Sequence, residues 1–85
     1  MAILVYDVKE ERVRKIHAIC SKYLFWKQNS VFIGKINKSR LEMLEDELRK
    51  NTNPLEDYII FFLFPSNVKF RVKEIGCGRY EKILW

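Results

Sequence analysis

The chain is predicted to fold as an α+β domain that pairs with a second copy of itself, sheet against sheet. Three observations carry this expectation. The apolar pattern changes period along the 85 residues in the order strand, helix, extended stretch, helix, strand, strand. Only two of these segments are amphipathic helices, and two helices cover one face of such a sheet. Yet Ile3-Leu4-Val5, Val31-Phe32-Ile33 and the run from Ile59 to Phe64 present apolar side chains to both faces. On a monomer the second face would be an exposed hydrophobic patch, and stacking two copies is the simplest way to cover it.

Ile3-Leu4-Val5-Tyr6-Asp7 is the first strand: consecutive aliphatic residues, β-branched on either side of Leu4, then a tyrosine. Asp7 stands where strand gives way to helix. Such ends carry reactive groups because the scaffold is rigid and the end is open. Val13, Ile16, His17, Cys20 and Leu24 then recur at helical spacing, opposite Lys15 and Lys22, which predicts an amphipathic helix from about Glu10 to Tyr23. His17 lies on the apolar face and reads as a satisfied boundary histidine.

Trp26 to Ile36 reads as extended, apolar on both faces in its second half. Its first half carries amides and a hydroxyl, which suits either a separate short strand or a bend. Ser39-Arg40-Leu41-Glu42 is an S-x-x-E capping box that opens the second helix. Leu41, Leu44 and Leu48 form its inner stripe, and Asn51-Thr52-Asn53-Pro54 ends it. Its acids Glu42, Glu45, Asp46 and Glu47 read as a solvated face. Tyr58 to Phe64, the most apolar run, is a central strand. Val68, Phe70 and Val72 alternate with Lys69, Arg71 and Lys73, a strand with one apolar and one basic face. Gly76-Cys77-Gly78 reads as a turn, followed by a short terminal segment, Arg79 to Trp85.

A chain of this length makes one small domain, burying about 60–65% of its unfolded surface. Its apolar content of 48% is that of a globular protein. The formal charge of +5 and a pI near 9.4 suit a polyanion partner. No apolar run approaches the roughly 20 residues of a membrane span. The N-terminus lacks a basic leader region and a cleavage site, so a soluble, cytoplasmic protein without a membrane partner is expected. Cys20 and Cys77 show neither metal-ligand nor disulfide-framework spacing.

Asp7 admits two readings. Asp7-Val8-Lys9-Glu10 matches a D-x-x-E cap, and on local sequence alone the cap is the stronger reading. A two-fold axis near the end of the first strand changes that, because an isologous interface can set Asp7 against its own copy. Two carboxylates, waters and substrate phosphate oxygens then suit Mg²⁺, which activates water and stabilises a phosphodiester's developing charge. Arg12, Arg14 and Lys15 lie near the start of the first helix, and arginine's planar fork suits phosphate. Each of them reads equally well as an ordinary surface charge. There is no glycine-rich phosphate loop, nucleophile elbow or His/Cys/Asp constellation.

Tyr6-Asp7, the R-x-R element Arg12/Arg14 and Gln28-Asn29-Ser30-Val31-Phe32-Ile33-Gly34 together resemble the small CRISPR-associated endonuclease family of the spacer-acquisition machinery. That family shows an early Y-D followed by Q-x-S-V-F-E-G, and the likeness spans essentially the whole chain. It implies a single ferredoxin-like βαββαβ domain over 1–85, homodimeric through stacked sheets. It further implies an additional C-terminal strand, 79–85, that pairs with the partner subunit. It implies one Mg²⁺ per dimer, shared between the two copies of Asp7, which makes Asp7 the catalytic and metal-binding residue.

Nucleic-acid contacts are expected at Arg12, Arg14, Lys15, Lys27, Gln28, Ser30, Lys69 and Arg71, with Tyr6 and Phe32 in support. The implied activity is metal-dependent cleavage of single-stranded RNA or double-stranded DNA. The implied partner is the CRISPR integrase, for which the dimer is the central scaffold. Two departures stand out: Ile33 replaces the family's usual glutamate, and Leu24 and Phe25-Trp26 replace a glycine and an arginine. The phosphate contact that the resemblance implies before the Q-x-S motif is kept only if Lys27 supplies it. The competing readings are a nucleic-acid-binding scaffold without turnover and a ferredoxin-like regulatory domain.

Overall fold

The computed structural model describes residues 1–64 and 71–76, with Arg71 and Val72 described by backbone alone. Its strands are β1 (Ala2–Asp7), β2 (Phe25–Gln28), β3 (Val31–Gly34), β4 (Tyr58–Leu63) and β5 (Arg71–Gly76). They form one sheet in the order β2-β3-β1-β4-β5, each neighbouring pair antiparallel. Helix α1 (Glu10–Ser21) follows β1, and α2 (Lys38–Lys50) follows β3. The most apolar run becomes β4, flanked on both sides, as its two-faced hydrophobicity demands.

One face of the sheet carries the core. Ala2, Leu4 and Tyr6 of β1, Phe32 of β3 and Ile59, Phe61 and Leu63 of β4 pack against Ile16, Ile19 and Cys20 of α1 and Leu41, Leu44 and Leu48 of α2. Each fully buried aliphatic side chain contributes about 1.5–3 kcal/mol. The alternate residues occupy the opposite face. There Phe25, Ile33, Ile3 and Phe62 line up in one cross-strand row, and Gln28, Val31, Val5, Ile60 and Glu74 in the next. Ile3, Val5, Val31, Ile33 and Phe62 are half-buried and Phe25 is exposed, whereas Tyr58 and Ile60 are fully buried. The core that the two helices share with the sheet draws on the first face alone.

Four local expectations are corrected. The helix after β1 starts at Glu10 with Lys9 at its N-cap, so the D-x-x-E spacing from Asp7 does not coincide with the helix start. The second helix is capped by Asn37, whose side chain accepts from the Arg40 amide at 2.8 Å, and not by Ser39. Asparagine and serine are comparable caps, and Asn37 has the extended backbone that a cap needs. Glu45 is not on a solvated face: it is 5% exposed and accepts from Lys73 of β5 at 3.3 Å. Gly76, read as a turn residue, instead closes β5 opposite Tyr58, and the strand's described part is Arg71–Gly76. The stretch from Trp26 divides into β2 and β3 at Asn29-Ser30, with Asn29 at φ 43°, a left-handed conformation that asparagine tolerates. Lys69, Cys77 and the segment 79–85 lie outside the described residues.

Gly76 has φ 121°, and a Cβ there would stand 1.8 Å from the Asp57 carbonyl oxygen. Gly76→Ala therefore forces the ends of β4 and β5 apart. The expected loss is about 1–3 kcal/mol, a fall in Tm of about 5–15 °C. A thermal melt matching the parent protein would show that the close approach does not matter.

Candidate functional site

Asp7 is the last residue of β1, exposed, and aligned with Tyr58 on β4. It continues the alternation of Ile3 and Val5, which places it on the face that the helices leave uncovered. Among the described residues no group of three or more His, Cys, Asp or Glu side chains could hold a metal ion. Asp7 is thus an exposed carboxylate at the end of β1, on the face of the sheet opposite the helices.

Next to it lies a group that the sequence did not single out. Asp57, immediately before β4, is 1% exposed. Its carboxylate accepts from Arg12 Nε at 2.6 Å and Nη2 at 3.1 Å, from the Lys9 amide at 2.9 Å and from the Asn53 amide at 2.8 Å. Arg12 Nη2 also donates to Glu56 at 2.8 Å. Burial alone would raise the Asp57 carboxyl, but the Arg12 guanidinium and the backbone N–H groups of Asn53 and Lys9 outweigh it and hold it below the usual carboxylate range. The side-chain hydrogen bonds to Asp57 and then Glu56 push Arg12 upwards in turn. Asp57 thus pins the turn after Asp7 to the start of β4, beside Asp7's own register partner. The signal for it was an acid directly ahead of the most apolar strand, where burial obliges a carboxylate to find donors.

The remaining cations are divided between two flanks of α1. Lys15 borders a hollow with Lys22 and Glu47, on the side facing α2. Arg14 is exposed one turn from His17, and His17 packs edge-on against Trp26 of β2, with ring centroids 5.9 Å apart. All four β2 residues, Phe25, Trp26, Lys27 and Gln28, are exposed on this edge strand, which has an irregularity between Trp26 and Gln28.

Phe32 is fully buried beneath them, its ring centroid 5.0 Å from that of His17 and 6.3 Å from that of Tyr6. The Ser30 carbonyl accepts from the Tyr6 amide at 3.1 Å. Burial and then Cys20 raise the Tyr6 phenol, and a side-chain hydrogen bond with Ser30 draws it back. Burial likewise pushes the Cys20 thiol up to about 12, which leaves it inert at neutral pH. Of the basic stripe expected on the last strand, Lys73 turns to the helix layer and Glu45. The Arg71 side chain and all of Lys69 lie outside what is described.

The sequence profile of the family described as CRISPR associated protein Cas2 matches residues 1–72, a span that contains Asp7, the Arg12–Asp57 clasp and β2. The chain belongs to the Cas2 family. The CRISPR-associated endoribonuclease Cas2 of Thermotoga maritima is 38% identical over 79 residues, covering 93% of this chain and 91% of its relative. That of Dictyoglomus turgidum is 43% identical over 73 residues, covering 86% and 83%. A solved structure described as a crystal structure of cas2 superposes with a TM-score of 0.73 at 38% identity, covering 92% of this chain and 87% of the other. The fold of this Cas2 family member is therefore close to a solved one, and the resemblance drawn from Tyr6-Asp7 and Gln28-x-Ser30-Val31-Phe32 is borne out. No helix among the described residues is long and apolar enough to cross a membrane.

Proposed function

We propose that this protein is a Mg²⁺-dependent endonuclease of the CRISPR adaptation machinery, acting on RNA or DNA as a symmetric dimer and serving the CRISPR integrase as its central scaffold. The observation that carries the reading is Asp7: an exposed carboxylate ending β1 on the face of the sheet opposite the helices, in a family whose members named above are endoribonucleases. The order β2-β3-β1-β4 within the sheet supports a ferredoxin-like core. The row Phe25, Ile33, Ile3, Phe62 supports stacking of two sheets, since it is the apolar surface that the helices do not reach.

Mg²⁺ takes one or two carboxylates and completes its shell with waters and phosphate oxygens, which a pair of Asp7 side chains across a two-fold axis fits. When bound, it supplies a nucleophilic water and neutralises charge on the phosphodiester. Asp7 is the group that holds it. Arg12, committed to Asp57 and Glu56, acts as a positioning residue for the turn that follows Asp7. Arg14, Lys15 and Lys27 are exposed cations available to meet phosphates.

Purified protein incubated with labelled single-stranded RNA and with duplex DNA should cleave at least one of them in Mg²⁺ and neither in EDTA, and should sediment as a dimer. Cleavage unaffected by EDTA, or a well-folded monomer, overturns the shared metal site. A dimer that binds nucleic acid but cleaves neither substrate leaves the scaffold role alone. Arg14→Ala should weaken binding and flatten the salt dependence of affinity by about one charge, with the Tm unchanged. An unaltered salt slope would remove Arg14 from the interface.

A further inference from the structure

The edge strand β2 carries two large aromatic side chains in the open: Phe25 is 77% exposed and Trp26 58%. They point to opposite sides of the sheet, because Trp26 is aligned with buried Phe32 and Phe25 with Ile33. Trp26 is not loose. Its indole N–H donates to the Asn29 carbonyl at 3.0 Å, across the turn that Asn29's left-handed backbone creates. His17 packs against it edge-on, at 64° between ring planes, and is itself backed by Phe32. The indole's polar atom is therefore satisfied and its plane is fixed, while more than half of its surface remains in solvent. An exposed tryptophan costs the fold solvation of an apolar ring, so one that is also held rigid is poised to bind a flat partner.

The neighbouring charges say which partner. Lys27 follows Trp26 directly, and Arg14 lies one helical turn from His17 on the same flank of α1. On a chain of net charge +5, an exposed aromatic plane with one exposed cation at the next strand position and another on the adjoining helix matches a base and its neighbouring phosphates.

We infer that Trp26 is a base-stacking residue, on which one unpaired nucleobase of a single strand lies while Arg14 and Lys27 hold the adjacent phosphates. A duplex keeps its bases stacked on one another and cannot offer that face without opening. The β2 edge thus favours single strands over duplex, a preference that phosphate contacts alone do not supply. The inference rests on the reading that the protein acts on nucleic acid, but it does not depend on the metal site.

The test is made in EDTA, so that no strand is cut, on a Trp85→Phe background in which Trp26 is the sole tryptophan. A short single-stranded RNA should quench the Trp26 emission on binding, whereas an abasic strand with the same number of phosphates should bind without quenching. Trp26→Ala should weaken single-strand affinity by about tenfold or more, with Trp26→Phe between it and the parent. The salt slope should stay the same in Trp26→Ala, because no phosphate contact is lost, and duplex affinity should hardly change. Equal affinities of the base-bearing and abasic strands would overturn the inference. So would a Trp26→Ala protein that binds single strands like its parent, or one that changes only its sedimentation, which would make Trp26 a contact between copies. Absence of cleavage in Mg²⁺ would count against the nuclease reading and leave this result standing.

Discussion

Asp7→Asn is expected to abolish metal-dependent cleavage while fold, dimer and nucleic-acid binding persist. Asparagine keeps the shape of the side chain but loses the charge that a hard dication requires, and in the proposed symmetric dimer one substitution removes both ligands. A metal that activates water and stabilises the transition state contributes several kcal/mol, so the rate should fall on the order of a thousandfold. The fold should persist, because asparagine keeps the size of the side chain and its hydrogen-bonding oxygen, and the N-cap of α1 is Lys9 and not Asp7. Mixing parent and variant subunits separates a shared site from two independent ones. If both copies of Asp7 are needed, activity falls with the square of the parent fraction. A linear fall would mean that each copy works alone, and full activity in a rigorously purified variant would remove Asp7 from the chemistry.

The second large effect is on stability. Asp57→Ala removes the acceptor of Arg12 and leaves the Lys9 and Asn53 amides without their side-chain partner. Breaking a fully buried ion pair costs about 3–5 kcal/mol; here Arg12 keeps Glu56 and some access to water, so about 2–4 kcal/mol is expected. In a domain of this size that is a fall in Tm of about 10–25 °C.

The pH dependence follows from the direction of the shift. Asp57 binds its proton less tightly folded than unfolded, so its contribution is fully present above the unfolded carboxyl value, about 3.9, and fades as pH falls through the lower folded value. The stability gap between the parent and Asp57→Asn should be wide at neutral pH and close in acid. A gap that is constant from neutral pH to below about pH 3 would show that the clasp is not held by charge. Loss of cleavage in Asp57→Asn at a temperature where it is still folded would further show that the clasp positions Asp7.

The elements themselves were legible along the chain, because strand and helix are written in local periodicity. Ile3 to Asp7, the helix through Ile16 and Cys20, the Leu41-Leu44-Leu48 stripe and the run from Tyr58 all appear where the apolar spacing puts them. So was family membership, since Tyr6-Asp7 and Gln28-x-Ser30-Val31-Phe32 are contiguous motifs. Ends and partners were not. Asn37 and Ser39 are both good caps two residues apart, and only the path of the chain into α2 selects Asn37.

Charge was the least legible property of all. Arg12 and Arg14 are equivalent in an R-x-R string, but two positions turn a helix by about 200°, so Arg12 meets Asp57, 45 residues away, while Arg14 stays in solvent. Glu45 resembled its solvated neighbours until Lys73 arrived from β5. Local sequence sets which residues alternate between faces. Only the tertiary structure decides which face is covered and which charges meet, because burial and ion pairing are properties of residues brought together from distant parts of the chain.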